Sequence, residues 1–131
     1  MTFDLDLKAL WVADSVTTAD RIFRSRLANL PTDTNIAILN IVETGGLEPT
    51  TTHDGSTYRR PSAQCVARHR NSDTAKALAF AAYNSCFRVR NRSINGNQYL
   101  NIKPQQEPFE IDPDSVERAR WAFNVIGWKA G

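Results

Sequence analysis

The stretch Ile36-Ala37-Ile38-Leu39-Asn40-Ile41-Val42 constrains this chain more than any other. It is nearly continuous in apolar residues and rich in β-branched ones. It lacks the polar alternation of a half-exposed strand, so the spacing predicts a strand over residues 35–44 that is buried on both faces. Such a strand needs neighbours in a sheet and a layer packed against it. Gly45-Gly46 is expected to stop it. Residues 48–56, Glu-Pro-Thr-Thr-Thr-His-Asp-Gly-Ser, are polar and rich in turn formers. They read as an exposed loop, with Asp54-Gly55 as the hairpin-turn candidate. Residues 58–70 alternate loosely, with Ala63, Cys65 and Ala67 on one side. They predict a second strand antiparallel to the first, with Pro61 displaced to an edge or bulge.

Helical spacing frames this hairpin. Phe3, Leu7, Leu10 and Trp11 fall on one helical face, which predicts a helix over residues 3–13 with Asp4 and Asp6 in its first turn, where negative charge suits the helix dipole. Ala75, Leu78, Ala79, Ala82 and Cys86 mark a second helix to about Phe87, with Ser72 as its N-cap. Residues 17–30 fit either a helix or a short strand, and Pro31 closes them either way. Asn95-Gly96 supplies the positive φ angles of a type I′ hairpin turn after a lead-in over residues 89–94. Tyr99, Leu100 and Ile102 continue as a strand, and Phe109 and Ile111 extend it past a kink at Pro104. Asp112-Pro113-Asp114 is a turn. Residues 119–128 alternate, with Trp121, Phe123, Val125 and Gly127 on one face, as a last strand paired with the one before it. The expected fold is α+β: a mainly antiparallel sheet with two helices packed on it, one domain over residues 1–131.

Composition excludes several classes. Sixteen basic and fourteen acidic residues leave a net charge of +2, and 41% hydrophobic residues are ordinary for a globular chain. The acidic start Met1-Thr2-Phe3-Asp4 is not a signal peptide, and no window approaches the roughly 18–20 apolar residues of a membrane span. Cys65 and Cys86, far apart and without a motif, read as two small buried hydrophobes. Catalysis by a serine or cysteine nucleophile needs a base, and only His53 and His69 offer an imidazole. His53 falls in the polar loop, and His69 lies between Arg68 and Arg70 at a strand end. Neither has a sequence-level partner. No metal-ligand spacing, cofactor motif or phosphate loop is present, and Glu107 and Glu110 read as surface carboxylates. The chain is not expected to be an enzyme. Arginines do cluster: Arg59-Arg60, Arg68-His69-Arg70, and Arg88, Arg90 and Arg92. If residues 88–92 are extended, those last three share one side and could face phosphates. The plain alternative is a strand edge blunted by charge.

The stretch Ser93-Ile94-Asn95-Gly96-Asn97-Gln98-Tyr99-Leu100-Asn101-Ile102 resembles the T-I-N-G-T-x-Y-L-S-I stretch of a family of tailed-phage minor capsid and tail terminator (head-to-tail joining) proteins. Gln105-Gln106-Glu107-Pro108-Phe109 is similar to its L-Q-x-P-F. Val42-Glu43-Thr44-Gly45-Gly46-Leu47-Glu48-Pro49 is similar to its Y-E-T-G-G-L-P-P, and Thr52-His53-Asp54-Gly55 and Tyr58-Arg59-Arg60-Pro61 match in order. The likeness runs over residues 22–128. Gln105 replaces the family's aliphatic residue, and residues 112–118 lack its Gly-Arg-Asp-Glu-Asn-Gly turn.

The resemblance implies a virion protein, assembled in the host cytoplasm, that forms a homohexameric ring. Such a ring caps the tail tube, stops its polymerisation and meets the head completion or connector protein, while genomic DNA passes through. It also implies that residues 22–27 are strand-like. Exposure suggests His53, Asp54, Pro104, Glu107 and Phe109 for contacts with neighbouring subunits or the tube. Arg59, Arg60, Arg88, Arg90 and Arg92 are the candidates for facing DNA. A head completion or connector protein is the alternative place in the particle, and a nucleic-acid-binding domain is the alternative of another class.

Overall fold

The computed structural model describes residues 3–25, 30–51 and 57–130. Helix α1 (Phe3–Ala13) is followed by a single 3₁₀ turn, Ala19–Arg21, and strand β1 (Ile22–Arg24). The ambiguous segment is therefore strand-like where it is described, and Arg26 and Leu27 lie outside the described residues. Strands β2 (Ile38–Thr51) and β3 (Thr57–His69) precede helix α2 (Ser72–Phe87). Strands β4 (Arg90–Ile94), β5 (Asn97–Pro104), β6 (Phe109–Ile111) and β7 (Ala119–Ala130) complete the sheet. Its order is β1-β2-β3-β7-β5-β4, with β6 also paired to β7, and every pairing but the parallel β1–β2 is antiparallel.

Two expectations are corrected. The Gly45-Gly46 pair does not end β2, which runs on through residues expected to be loop. Thr44 pairs with Ser62 and Leu47 with Arg60, so Gly45 and Gly46 together oppose Pro61 alone in a bulge. Gly46 has φ +74°, and a Cβ there would stand 2.8 Å from the Arg60 carbonyl oxygen. Only glycine fits that approach. The Ser62 Oγ closes the bulge by accepting the Gly46 N–H at 3.0 Å and bonding Thr44 Oγ1. Pro61 is thus tolerated inside a central strand because it sits where the ladder is already broken. The turn candidate Asp54-Gly55 lies outside the described residues. Second, the N-cap of α2 is Asn71, whose Oδ1 accepts the Asp73 and Thr74 amides at 2.9 and 3.4 Å. Ser72 is the first helical residue, and its hydroxyl instead joins Trp121 Nε1 to Glu110. The last strand, β7, pairs with the one before it, β6, as expected, and also with β3 and β5. It lies between β3 and β5, at the centre of the sheet.

Both helices pack on one face. Leu39, Ile41, Ala63, Cys65, Ala67, Tyr99, Ile102, Phe123 and Val125 project from the strands into one cluster with Phe3, Leu7, Leu10, Trp11, Ala79, Ala82 and Cys86. The alanines let α2 lie close to the sheet. Trp11 Nε1 donates to the Ala82 carbonyl across the helix pair. Asn95 and Gly96 both have positive φ, as the type I′ turn between β4 and β5 requires.

Asp6 does something its place in the first turn does not predict. It is fully buried and accepts bonds from Asn95 Nδ2 at 3.1 Å, Asn97 Nδ2 at 3.0 Å and the Tyr99 hydroxyl. Burial and this carboxylate hold the Tyr99 phenol far above its ordinary pKa. The carboxylate therefore fastens α1 to the β4–β5 hairpin rather than serving the helix dipole. Replacing Asp6 by Ala strands the buried Tyr99 hydroxyl and the half-buried Asn97 amide and releases the exposed Asn95, and denaturant unfolding should show a loss of about 3 kcal/mol. Tyr99→Phe keeps both asparagine bonds and should lose about 1 kcal/mol. Equal losses would show that the carboxylate does not organise the group.

Candidate assembly surface

The basic groups are largely engaged within the fold. Arg88 closes α2 in helical geometry, so it is not part of an extended row with Arg90 and Arg92. Arg88 and Arg92 converge on Asp14 at 3.9 and 3.1 Å, and Ser85 Oγ donates to the same carboxylate at 2.7 Å. Arg90 Nη1 donates to the Phe87 and Val89 carbonyls. These side chains bind the end of α1 to the α2–β4 junction. Arg59 is exposed, and the Arg60 guanidinium lies 5.3 Å from the ring centre of Trp128, its cross-strand neighbour.

A second cluster sits at the other end of the sheet. Asp114 accepts from Arg118 Nε at 2.8 Å, Arg68 Nη1 at 3.2 Å, and the amides of Val116 and Arg118. Arg118 is itself buried and donates to the Pro31 carbonyl. The Asp112-Pro113-Asp114 turn is thereby tied to β3 and to the segment entering β2. Burial pushes the Asp114 carboxyl up, but the Arg118 and Arg68 bonds outweigh it and hold the group below its usual value. At Asp14 burial is likewise outweighed by Ser85, Arg92 and Arg88. A carboxyl whose pKa is lower folded than unfolded stabilises the fold above its unfolded pKa of about 4, and that stability is lost as pH falls through the folded value. Denaturant midpoints should therefore drop as pH is lowered below about 4. An Asp14→Asn, Asp114→Asn double variant should start lower near neutrality and lose less on acidification, and parallel curves would contradict the assignment.

No group of three or more His, Cys, Asp or Glu side chains among the described residues could hold a metal. Cys65 and Cys86 are buried free thiols, and burial pushes Cys86 up to about 12 and Cys65 up as well. The His69 ring is used locally: Nδ1 accepts the Asn71 amide, which leaves Nε2 to donate to the Asn35 carbonyl. His69 is thus a strand-end residue that holds the entry to α2.

Of the residues expected at contacts, His53 and Asp54 lie outside the described residues. Glu107 is exposed and Phe109 is 39% exposed, but Pro104 is buried within the chain rather than projecting from it. Pairing of Phe109 with Ala122 puts it on the face opposite the helices. Beside Pro104 the sheet edge is indented twice. One depression of about 340 Å³ is lined by Phe87, Arg90, Asn101, Ile102 and Lys103. Another of about 390 Å³ is lined by Lys103, Pro104, Gln105, Ile126 and Trp128. Sequence reasoning missed Phe80, Tyr83 and Phe87, which form an aromatic stripe on a flank of α2, with ring centres 5.9 and 4.9 Å apart. Their i, i+3, i+7 spacing beside the alanine stripe was the available signal.

The chain matches the family described as bacteriophage tail terminator protein over residues 7–126. No curated protein matches it. Among solved structures it is similar to a chain of the virion of a native gene transfer agent particle, with a TM-score of 0.62 at 10% identity, covering 94% of this chain and 86% of that one. At that identity the likeness shows the fold alone. The family match spans nearly the whole sequence, including α2, most of α1 and most of the sheet, and the chain belongs to the bacteriophage tail terminator family, as a structural protein of the phage particle and not an enzyme.

Proposed function

We propose that this chain is the tail terminator of its particle: a homohexameric ring that caps the tail tube, stops its polymerisation and joins the tail to the head connector. The family match over residues 7–126 carries the reading. Two features of the fold support it. The sheet is open, ending in the short strand β1 on one side and in β4, the end of β5, and β6 on the other. Strand edges of this kind suit heterologous contacts, which close into rings when the rotation permits. The chain is also nearly neutral, and Arg88, Arg90 and Arg92 are held by internal partners, which suits a passage through which DNA moves without being gripped. In this reading Glu107 and Phe109, with residues 105–107 and 48–56, meet the neighbouring subunit or the tube.

Purified protein mixed with assembled tail tubes should decorate one tube end as a ring, seen by negative-stain microscopy, and should block further growth when tube subunits are added. Tubes that keep growing with the protein present would overturn the reading. Glu107→Lys should weaken capping while the melting temperature stays within a few degrees, because the side chain is exposed.

A further inference from the structure

We infer that the indented edge at the end of β5 is a docking groove for an extended, acidic segment of another protein, which adds to the sheet as a short strand. The groove includes Gln105 of the contact segment proposed above, so the inference rests on that reading and gives this part of the segment to another protein rather than to the neighbouring subunit.

The backbone supplies the first argument. The β4 ladder ends at Arg90 opposite Asn101, whereas β5 continues to Pro104 with β7 on its other side. Beyond Asn101 the strand has a strand neighbour on one side only. An added segment would take up this position, and Pro104, which lacks an N–H, would limit it to a short ladder.

Shape supplies the second. The two depressions meet at Lys103, and together they span both faces of the edge, since Ile102 faces the helices while Lys103 shares the face of its partner Ile126. One is bounded by Phe87, at the end of the α2 aromatic stripe and 42% exposed. The other has Ile126 and Trp128 as its floor, residues that pair with Lys103 and Asn101 on the face away from the helices. Successive side chains of a strand point to opposite faces, so one residue of the docked segment enters each depression in turn.

Charge decides what fits. Arg90 and Lys103 line the groove, and neither forms an ion pair with a described residue. Asn101 Oδ1, also on the lining, is buried without a hydrogen-bond partner and can accept from an incoming donor. The complementary segment alternates a carboxylate, toward Arg90 and Lys103 on the face away from the helices, with an apolar side chain toward Ile102 and Phe87 on the helix side. A second copy is a poorer donor of it. Its own alternating acidic and apolar stretch, Phe109-Glu110-Ile111, is already paired with β7 as β6, and Glu110 accepts the Ser72 hydroxyl.

The test is selection of random short peptides displayed on messenger RNA against the immobilised full chain, followed by affinity measurement on the enriched peptides by fluorescence polarisation. Enriched peptides should alternate carboxylates with apolar residues. Lys103→Glu and Phe87→Ala should each weaken them by about tenfold or more. Arg21→Glu, beside the opposite sheet edge, should leave them unchanged, and circular dichroism melts check that every variant folds. Three outcomes overturn the inference: no enrichment, enriched peptides without carboxylates, or binding by a folded Lys103→Glu chain at the original affinity. Concentration-dependent self-association that the peptides fail to compete with, lost in Lys103→Glu, would give the groove to a second copy and overturn it as well.

Discussion

The antiparallel pairing of β3 with β7 holds the rest of the structure together. It runs from Tyr58 opposite Ala130 to His69 opposite Ala119, and it joins two parts of the chain that are each only half a sheet. The first half carries β1, β2 and β3; the second carries β4, β5 and β6 around β7. Neither half could bury the face it offers. Together they form a surface wide enough for α1 and α2 to lie side by side, with Cys65 and Ala67 of one half and Phe123 and Val125 of the other under the helices. Gly127 belongs to this fit: a Cβ there would come within 3.0 Å of the Phe3 ring and 3.1 Å of the Tyr99 ring, so its hydrogen lets α1 settle against β5 and β7.

Polar groups then fix the layers in register. Asp6 holds α1 to the β4–β5 hairpin, Asp14 holds its far end to α2 and β4, and Asp114 holds the turn before β7 to β3. Each carboxylate meets more than one donor, so each joins elements far apart in sequence. With both helices on one face, the strand edges remain available, and Phe109, Trp128 and the end of β5 stay near the surface. A chain that must meet other subunits gains from this arrangement, because its core is complete without them.

Much of the fold was legible in the sequence, because it rests on periodicity and turn chemistry. The helical stripe from Phe3 to Trp11, the alanine face of α2, the Asn95-Gly96 turn and the alternation of β7 all depend on local geometry. What was not legible depends on residues distant in sequence. A pair of glycines ordinarily punctuates a strand, and only the opposing Pro61 makes Gly45-Gly46 a bulge within a longer one. Ser72 is a good cap in isolation, but Asn71 precedes it and Trp121 and Glu110 claim its hydroxyl. The arginines looked like a row for phosphates because nothing near them in sequence announces Asp14, which comes from the end of α1. The candidate surface was the least legible: Pro104 and Lys103 acquire meaning only once β4 is seen to stop short of them.

Whether this chain ends a growing tail shows most plainly when its gene is deleted from the phage and tail lengths are measured by electron microscopy of the lysate. Without it, tails should reach uncontrolled, excessive length and fail to join DNA-filled heads, and supplying the chain in trans should restore both. Tails of normal length attached to heads, or heads that fail to fill while free tails stay normal, would contradict that role.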